Sequence, residues 1–398
     1  MNRVVCCCLA VFLVVATVLA ENMNDQGWAV AVPGYQIAFP RDHFPHYQFR
    51  TEWWYFTGNL KTTDGRAFGY QVTFFRHGYR PVRNREPVTS RFVMNDVKFA
   101  HFAVTDVSSG KFHFDSRISR GAFGEAGFGD GKRLAWIDNW ELDFDGDFRL
   151  KAATKGYAVD LDLTPEKPAV LQGEDGLSQK ADGEGHASYY YSITRLKTSG
   201  TVKIGDENYV VEGSSWFDRE WATNQLAPEQ AGWNWFAIQL SDGSDMMLYQ
   251  MRLKNGGIDS HSSGKSIAAD GAASELASND FQLVRERFWE SPASKATYPI
   301  EWRLSIPKLN LELEVTPPVM NQELDLSVVY WEGCILLKGR RAGKPVEGVG
   351  YMELTGYQGD APGLAGSASL PRSDKVQFWK VAAENLRCGR LHPVGEDR

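Results

Sequence analysis

The sequence predicts an all-β protein made of two β-barrel domains in tandem. Short runs that alternate apolar and polar residues fill most of the 398-residue chain, and Asp-Gly or Gly-rich turns separate many of them. Aromatic residues form 13% of the chain, with thirteen Trp among them, and β-strands favour such side chains. Two Trp-rich hairpins of similar sequence, about 180 residues apart, indicate that one barrel fold occurs twice.

Residues 1–20 are typical of a secretory signal peptide, because one basic residue, Arg3, precedes a short apolar run that ends in small residues at Ala20. We therefore expect a mature protein that starts near Glu21, is periplasmic or secreted, and has no integral membrane span. The formal net charge of −7 argues against nucleic acid or an anionic membrane surface as a partner. The sequence does not indicate an oligomeric state.

Two cysteines remain after the three that lie inside the signal peptide. Cys334 follows a strand-like run, and Cys388 lies in the C-terminal tail. An exported compartment permits a bridge between them, and two buried free thiols are equally consistent with the sequence. We expect no obligatory disulfide.

The two similar hairpins divide the chain. Shared turn chemistry between unrelated hairpins is the alternative explanation for their likeness. We predict an N-terminal domain over 33–226, a C-terminal domain over 227–357 and an extension over 358–398 with one helix. The polar stretch 254–279 is expected to be an exposed loop or flexible hairpin. When the hairpins are aligned on Leu60 and Leu240, the equivalent residues are Trp53 and Trp233, Tyr55 and Trp235, and Phe56 and Phe236.

A carboxylate begins the first Trp-rich hairpin, in the stretch FRTEWWYFTGNL. Strand alternation places Glu52 on one face with Trp54 and Phe56. This pattern is typical either of an acid enclosed by aromatic side chains or of an ion pair with a nearby arginine such as Arg50.

A second acidic cluster lies just before the second hairpin, in GSSWFDREWATNQL. Alternation places Trp216, Asp218 and Glu220 on one face of a strand, with Phe217, Arg219 and Trp221 on the other. Clefts between domains often bind ligands, so the cluster is a candidate site. A salt-bridge network of Asp, Arg and Glu that fastens the domains is the alternative.

The stretch GHASYYYSITR adds three tyrosines, of which Tyr189 and Tyr191 share one face and Tyr190 takes the other. His43 and His46 have the spacing of a metal pair, but no cysteine or HExxH motif completes a zinc site, so we expect no metal. The motifs GxSxG, GxxxxGKS and GxGxxG are absent, so the common hydrolase and nucleotide chemistries lose support, and we expect no cofactor.

Several motifs together resemble one family. They are FPRDHFPHYQFRTEWWYFTGNL, GEGHASYYYSITRL, GSSWFDREW, GWNWFAIQLSDGSDMMLYQMR, YPIEWRLSIP, QELDLSVVYWEGC and GVGYMELTGY. In this order, over about residues 33–357, the chain resembles the carotenoid 1,2-hydratase-like, or AttH-like, group of lipocalin-related secreted proteins. The resemblance implies two consecutive lipocalin-like (calycin-type) β-barrels, in a group that includes carotenoid hydratases and fungal phytoalexin hydratases.

A hydratase needs a carboxylic acid that stays neutral near pH 7, and an apolar wall raises its pKa for that purpose. Aromatic faces then stabilise the carbocation that protonation of an alkene creates. We predict Asp218 as the acid, Glu52 as the second choice, and Glu220 as the group that orients water. We expect Glu52 and Asp218 to line one apolar cleft between the domains. The predicted wall residues for a small lipophilic molecule are Trp54, Tyr55, Tyr189, Tyr191, Trp216, Trp233 and Trp235.

A non-catalytic carrier is the alternative, since barrels with aromatic interiors also hold lipophilic molecules without chemistry. A raised carboxyl pKa favours the enzyme. Full ionisation at about pH 5 favours the carrier.

Overall fold

A computed structural model describes residues 23–84, 93–183, 185–224 and 226–358 of the chain. The predicted signal peptide, Cys388 and the predicted C-terminal helix lie outside these residues. Within them, the helices are four short 3₁₀ turns, and none is long and apolar enough to cross a membrane. The 3₁₀ turns are Arg41–His43, Val82–Asn84, Ala122–Gly124 and Pro307–Leu309.

The first β-sheet has thirteen strands in the described part of the chain. These strands are β1 (Thr51–Lys61), β2 (Ala67–Gly78), β3 (Asp96–Asp106), β4 (Lys111–Ser119), β5 (Ala126–Phe128), β6 (Arg133–Ile137), β7 (Trp140–Asp145), β8 (Asp147–Ala153), β9 (Tyr157–Pro165), β10 (Val170–Leu171), β11 (Leu177–Gln179), β12 (Ala187–Ile204) and β13 (Glu207–Ala222).

The second sheet has ten described strands and begins after the segment that follows Ala222. They are β14 (Gln230–Leu240), β15 (Asp245–Leu253), β16 (Ser263–Ile267), β17 (Ala273–Ala277), β18 (Gln282–Glu290), β19 (Thr297–Ile306), β20 (Leu311–Thr316), β21 (Glu323–Asp325), β22 (Val329–Arg341) and β23 (Lys344–Leu354).

The two sheets repeat one strand order. The first contains the order β4-β3-β2-β1-β13-β12-β9-β8, and the second contains β17-β16-β15-β14-β23-β22-β20-β19. All of these neighbours pair antiparallel, and the hairpins β1–β2 and β14–β15 are the two Trp-rich hairpins of the sequence. The similarity of the hairpins therefore comes from a repeated fold rather than from shared turn chemistry alone.

The first sheet curls into a near-closed barrel and the second into a half-barrel. Arg117 on β4 helps to close the first barrel, because its guanidinium donates to the carbonyl of Ile137 on β6 and lies 4.4 Å from the ring centre of Trp140 on β7. Each barrel encloses its own apolar core. The predicted all-β class with two lipocalin-like barrels is confirmed.

The polar stretch 254–279 differs from its predicted exposed loop. It contains the β16–β17 hairpin, which pairs with β15 and extends the second sheet. Ile267 and Leu276 are buried there and Lys265 is nearly so, since these side chains face the protein interior. The stretch therefore forms a hairpin, which was one of the two predicted alternatives, but part of this hairpin is buried. Cys334 is a buried free thiol.

Candidate functional site between the two sheets

The two sheets pack face to face, and an aromatic cluster fills the space between them. β1 and β2 of the first sheet contact β23 and β22 of the second, and β12 contacts both β14 and β15. We call this cluster the seam. Its buried members are Tyr55, Tyr190, Trp216, Trp235, Ala237, Met247, Tyr249, Met251, Cys334 and Tyr351, and Trp53, Val107 and Trp233 pack against them half-buried.

Strand alternation decides which side chains reach the seam. On β13, Phe217 and Trp221 lie in the core of the first barrel, whereas Trp216 lies in the seam. Asp218 is paired across the ladder with Tyr55 of β1, so both side chains point to the seam. The predicted division of faces on this strand is confirmed.

Asp218 is a buried carboxyl with three hydrogen-bond donors. The Trp216 indole donates to Oδ1 at 2.7 Å, the Ser192 hydroxyl donates to Oδ1 at 2.5 Å, and the Tyr190 hydroxyl lies 2.7 Å from Oδ2. The Trp235 indole in turn donates to the Tyr190 hydroxyl at 3.2 Å. These contacts fix the carboxyl from both sheets, since Trp235 belongs to β14.

The surroundings of Asp218 favour its neutral form near pH 7. Burial raises the pKa of Asp218 to about 7, and the hydrogen bonds from Ser192, Tyr190 and Trp216 offset part of that rise. The negative charge of Glu220 adds to the rise. The residue is only 4% exposed, so its carboxyl is almost completely removed from solvent. Asp218 therefore has the protonation behaviour of a general acid at neutral pH.

Glu220 lies on the same face as Asp218 and has a cation beside it. The Lys180 ammonium is 3.5 Å from Glu220 Oε1 and lies over the rings of Tyr249 and Tyr190, at 4.2 and 5.1 Å from their centres. The Ser188 hydroxyl also donates to Glu220. Burial lowers the pKa of Lys180, but the charge and hydrogen bond of Glu220, together with Tyr249 and the charge of Asp218, outweigh it, so the net pKa is raised and the ammonium persists.

Two carboxyls of the second sheet face the same region. Glu332 and Glu353 are paired across β22 and β23, and so share one face. Burial raises the pKa of Glu332, with a further rise from the Glu353 charge, and the hydroxyls of Tyr55 and Tyr330 lie beside it. Burial likewise raises the pKa of Glu353, and the charges of Glu220 and Asp218 raise it further.

The seam is closely packed as it stands. A cavity of about 10 Å³ adjoins Trp216, which is room for about one water molecule. Trp53, Trp233 and Glu353 are partly exposed and form the rim of the seam. Among the described residues, no group of three or more His, Cys, Asp or Glu side chains is arranged to hold a metal ion.

Glu52 does not line the seam with Asp218, so the expectation of one shared cleft is wrong. It lies on the opposite face of the sheet, fully buried in the first barrel, where it pairs with Arg76 and Arg219. Burial alone would raise the pKa of Glu52, but the two guanidinium charges and His46 hold it well below its usual range. Glu52 is thus ionised and unsuited to donate a proton.

Glu52 does form ion pairs, as the alternative predicted, but its partners are Arg76 and Arg219 rather than Arg50. The alternative network of Asp218 with Arg219 does not form, because Arg219 points into the barrel toward Glu52. The Arg219 guanidinium also lies 3.7 Å from the ring centre of Trp54. The ion pairs of Glu52 with Arg76 and Arg219 therefore lie on one face of the first sheet, and the candidate acid Asp218 lies on the other.

The predicted wall residues divide between two places. Tyr55, Trp216, Trp233 and Trp235 lie in or against the seam. Trp54, Tyr189 and Tyr191 lie in the first barrel core and cannot contact a ligand at Asp218. Strand alternation puts them on the inner face, which a single sequence does not distinguish from the outer one.

Five side chains near Asp218 were not predicted as site residues. Lys180 comes from a loop, and Ser192 becomes a neighbour only through the pairing of β12 with β13. The sequence did contain one indication of Glu353. The order aromatic, apolar, acidic occurs in Trp216-Phe217-Asp218 and again in Tyr351-Met352-Glu353. The five are Lys180, Tyr190, Ser192, Glu332 and Glu353.

Comparison with known proteins decides the family. The sequence profile of the AttH-like proteins matches residues 30–357. The chain belongs to the AttH-like family. The crystal structure of an AttH-type protein from Nitrosomonas europaea has 35% sequence identity and a TM-score of 0.75, covering 83% of this chain and 99% of that one. The resemblance inferred from the sequence motifs is confirmed.

Two curated relatives of this AttH-like chain carry related activities in their names. Kievitone hydratase from Fusarium solani subsp. phaseoli is 22% identical over 174 residues, which are 42% of this chain and 49% of that protein. The match thus spans about half of its length. Dehydratase asqC from Emericella nidulans is 20% identical over 283 residues, which are 63% of this chain and 75% of that protein.

Proposed function

We propose that this protein adds water to, or removes water from, a lipophilic small molecule of isoprenoid or polyketide type, with Asp218 as the proton donor. One observation carries the proposal: Asp218 is a carboxyl with a pKa of about 7, enclosed by aromatic side chains in the seam. The hydratase and dehydratase among the relatives support the same class of reaction, because the two names describe one reaction in its two directions.

Hydration of a double bond begins with protonation of one carbon, and water attacks only after the cation has formed. Asp218 protonates one carbon of a double bond, and the cation that forms at the neighbouring carbon is stabilised by the faces of Trp216 and Trp235. These two rings meet edge to face with their centres 6.3 Å apart. Glu220, held by Lys180, orients the water that captures the cation. In the reverse direction, the Asp218 carboxylate takes the proton back from carbon, and the hydroxyl group leaves as water with a proton from the group that accepts one from water during hydration.

Ligand binding requires side chains at the rim to move, because the cavity beside Trp216 has room for only about one water molecule. Trp53 and Trp233 are the rim residues with partly exposed rings. The large apolar area of these rings suits a lipophilic ligand. The proposal includes export, so the substrate is one that the protein meets outside the cytoplasm.

The carrier alternative differs in what it requires of Asp218. A carrier needs the aromatic wall but gains nothing from a buried carboxyl, which costs free energy to desolvate. The raised pKa of Asp218 therefore favours the enzyme over the carrier.

The test begins with ligand capture. The purified protein is incubated with a lipid extract and, separately, with kievitone as a defined probe, in water enriched in heavy oxygen. Mass spectrometry should detect a product that has gained or lost one water, and Asp218→Asn should abolish its formation. Ligands that are retained unchanged by the wild-type protein and the variant alike would replace the proposal with the carrier.

A further inference from the structure

The repeated fold gives Asp218 an equivalent residue in the second sheet. Tyr55 on β1 is paired with Asp218 on β13, and Trp235 on β14 is paired with Glu353 on β23. Since Tyr55 and Trp235 are equivalent in the two hairpins, Asp218 and Glu353 occupy equivalent positions. The packing of the two sheets across the seam then turns these two carboxyls toward one region.

Each carboxyl accepts a hydrogen bond from an indole. The Trp216 indole donates to Asp218 Oδ1, and the Trp233 indole donates to Glu353 Oε2, each at 2.7 Å. An indole N–H only donates, so the oxygen it contacts is always an acceptor. In each carboxyl the other oxygen is better placed to carry a proton, and in Asp218 that oxygen, Oδ2, lies 2.7 Å from the Tyr190 hydroxyl.

The two carboxyls influence each other's ionisation. The charge of Asp218 contributes to the raised pKa of Glu353, and the charges of both contribute to the raised pKa of Tyr55, which places them around one phenol. Two acids coupled in this way lose their protons in steps that belong to the pair. The titratable groups that face the pair are Tyr55, Lys180, Tyr190, Glu220, Tyr330 and Glu332.

Glu353 is better placed than Glu220 to accept a proton. Glu220 Oε1 already faces the Lys180 ammonium and accepts a hydrogen bond from the Ser188 hydroxyl. Glu353 is partly exposed at the rim, where water reaches it.

We propose that Glu353 is the second catalytic carboxyl of the seam, the base that takes a proton from the attacking water while Asp218 gives one to carbon. This inference rests on the proposed water-transfer function. In hydration, the Asp218 O–H bond breaks, and its proton forms a C–H bond with the electron pair of the alkene. The water oxygen bonds to the resulting cation and loses a proton to the Glu353 carboxylate. One proton returned from Glu353 to Asp218 through water resets the pair, so no oxidant or reductant is consumed.

The experiment compares Glu353→Gln with Glu347→Gln. Glu347 is a matched control because it lies on the same strand with its side chain 70% exposed. Infrared titration of the carboxyl C=O band follows the protonated acids without any substrate. Glu353→Gln should lower the pKa of Asp218, and Asp218→Asn should lower the pKa of Glu353, because each change removes a neighbouring negative charge. Glu347→Gln should alter neither titration.

Turnover of the captured substrate completes the test. Glu353→Gln should lower the turnover rate by about 100-fold or more, and its pH profile should lose the acidic limb. Glu353→Asp keeps a carboxyl, so it should retain part of the turnover rate and part of the acidic limb. If the pKa of Asp218 and the rate of substrate turnover are the same in Glu353→Gln as in Glu347→Gln, Glu353 is not the base. The role of Asp218 then stands. If the wild-type protein transfers water to no ligand that it captures, both proposals fall. The melting temperature of each variant shows that it is folded.

Discussion

Asp218 and Glu52 lie on neighbouring strands of one sheet, yet their environments drive their pKa values in opposite directions. Burial penalises the charge of both. Two arginines compensate for it at Glu52, whereas only neutral donors reach Asp218 in the described structure. A carboxyl without a cationic partner becomes a neutral acid, and one with two such partners becomes a structural anion.

Glu52→Gln should therefore act on stability and not on chemistry. The change leaves Arg76 and Arg219 buried without their anion, and we expect a loss of about 3–5 kcal/mol in the free energy of unfolding. Denaturant titration measures this loss. Glu212→Gln is the control, since Glu212 is an exposed carboxyl on β13. Equal stability of the two variants would contradict the assignment of Glu52 as the structural anion.

Stability should also depend on pH through Asp218. Its pKa rises from 3.8 to about 7 on folding, so the folded protein binds a proton that the unfolded chain has released between these values. Stability contributed by this group is therefore lost as the pH rises through that window, and is constant above it. Relative to Asp218→Asn, the wild type should lose about 4 kcal/mol between acidic and mildly alkaline pH. A difference that does not vary with pH would contradict the raised pKa.

At the scale of elements, β13 combines two functions because its faces alternate. Its inner side chains stabilise the first barrel, and its outer side chains form the candidate site. Phe217 stacks on Phe56 in the barrel, with ring centres 4.4 Å apart, whereas Trp216 contacts Asp218.

Two substitutions on adjacent residues should separate these functions. Phe217→Ala creates a cavity in the barrel core and should cost about 3–5 kcal/mol of stability. Trp216→Phe keeps most of the apolar volume, should cost less than about 1.5 kcal/mol, and should raise the pKa of Asp218 because a donor to its ionised form is lost. Thermal melting and infrared titration measure the two effects. If Trp216→Phe left the pKa of Asp218 unchanged, the indole would not control its ionisation.

Strand alternation made the faces of β1 and β13 predictable, including the separation of Phe217 from Asp218. It did not reveal which face of each strand points to the seam, so Glu52, Tyr189 and Tyr191 were placed in the site. Which side chains become neighbours on two adjacent strands depends on the register of the pairing. That register is set between segments that are far apart in sequence. The partners Ser192 and Tyr190 were missed for this reason.

At the scale of the molecule, duplication creates the site. Neither sheet alone encloses Asp218, because Trp235 and Glu353 come from the second repeat. The sequence predicted the repeat from its hairpins, and the family resemblance predicted the barrels. The approach of two equivalent carboxyls required the packing of the sheets, which no local pattern specifies.

Export remains a prediction, since residues 1–20 lie outside the described part of the chain. Intact-mass measurement on protein recovered from outside the cytoplasm should give a chain that begins near Glu21. Recovery of a chain that retains Met1 would contradict it.

Asp218 should keep its proton up to about neutral pH, and titration of this carboxyl in the folded protein measures that property without any other assumption. Carbon-13 NMR of labelled Asp carboxyls, with the Asp218 signal assigned from its loss in Asp218→Asn, needs no substrate. We expect a protonated carboxyl at mildly acidic pH that ionises with a midpoint of about 7. A carboxyl that is already fully ionised at about pH 5, as an ordinary aspartate is, would contradict it.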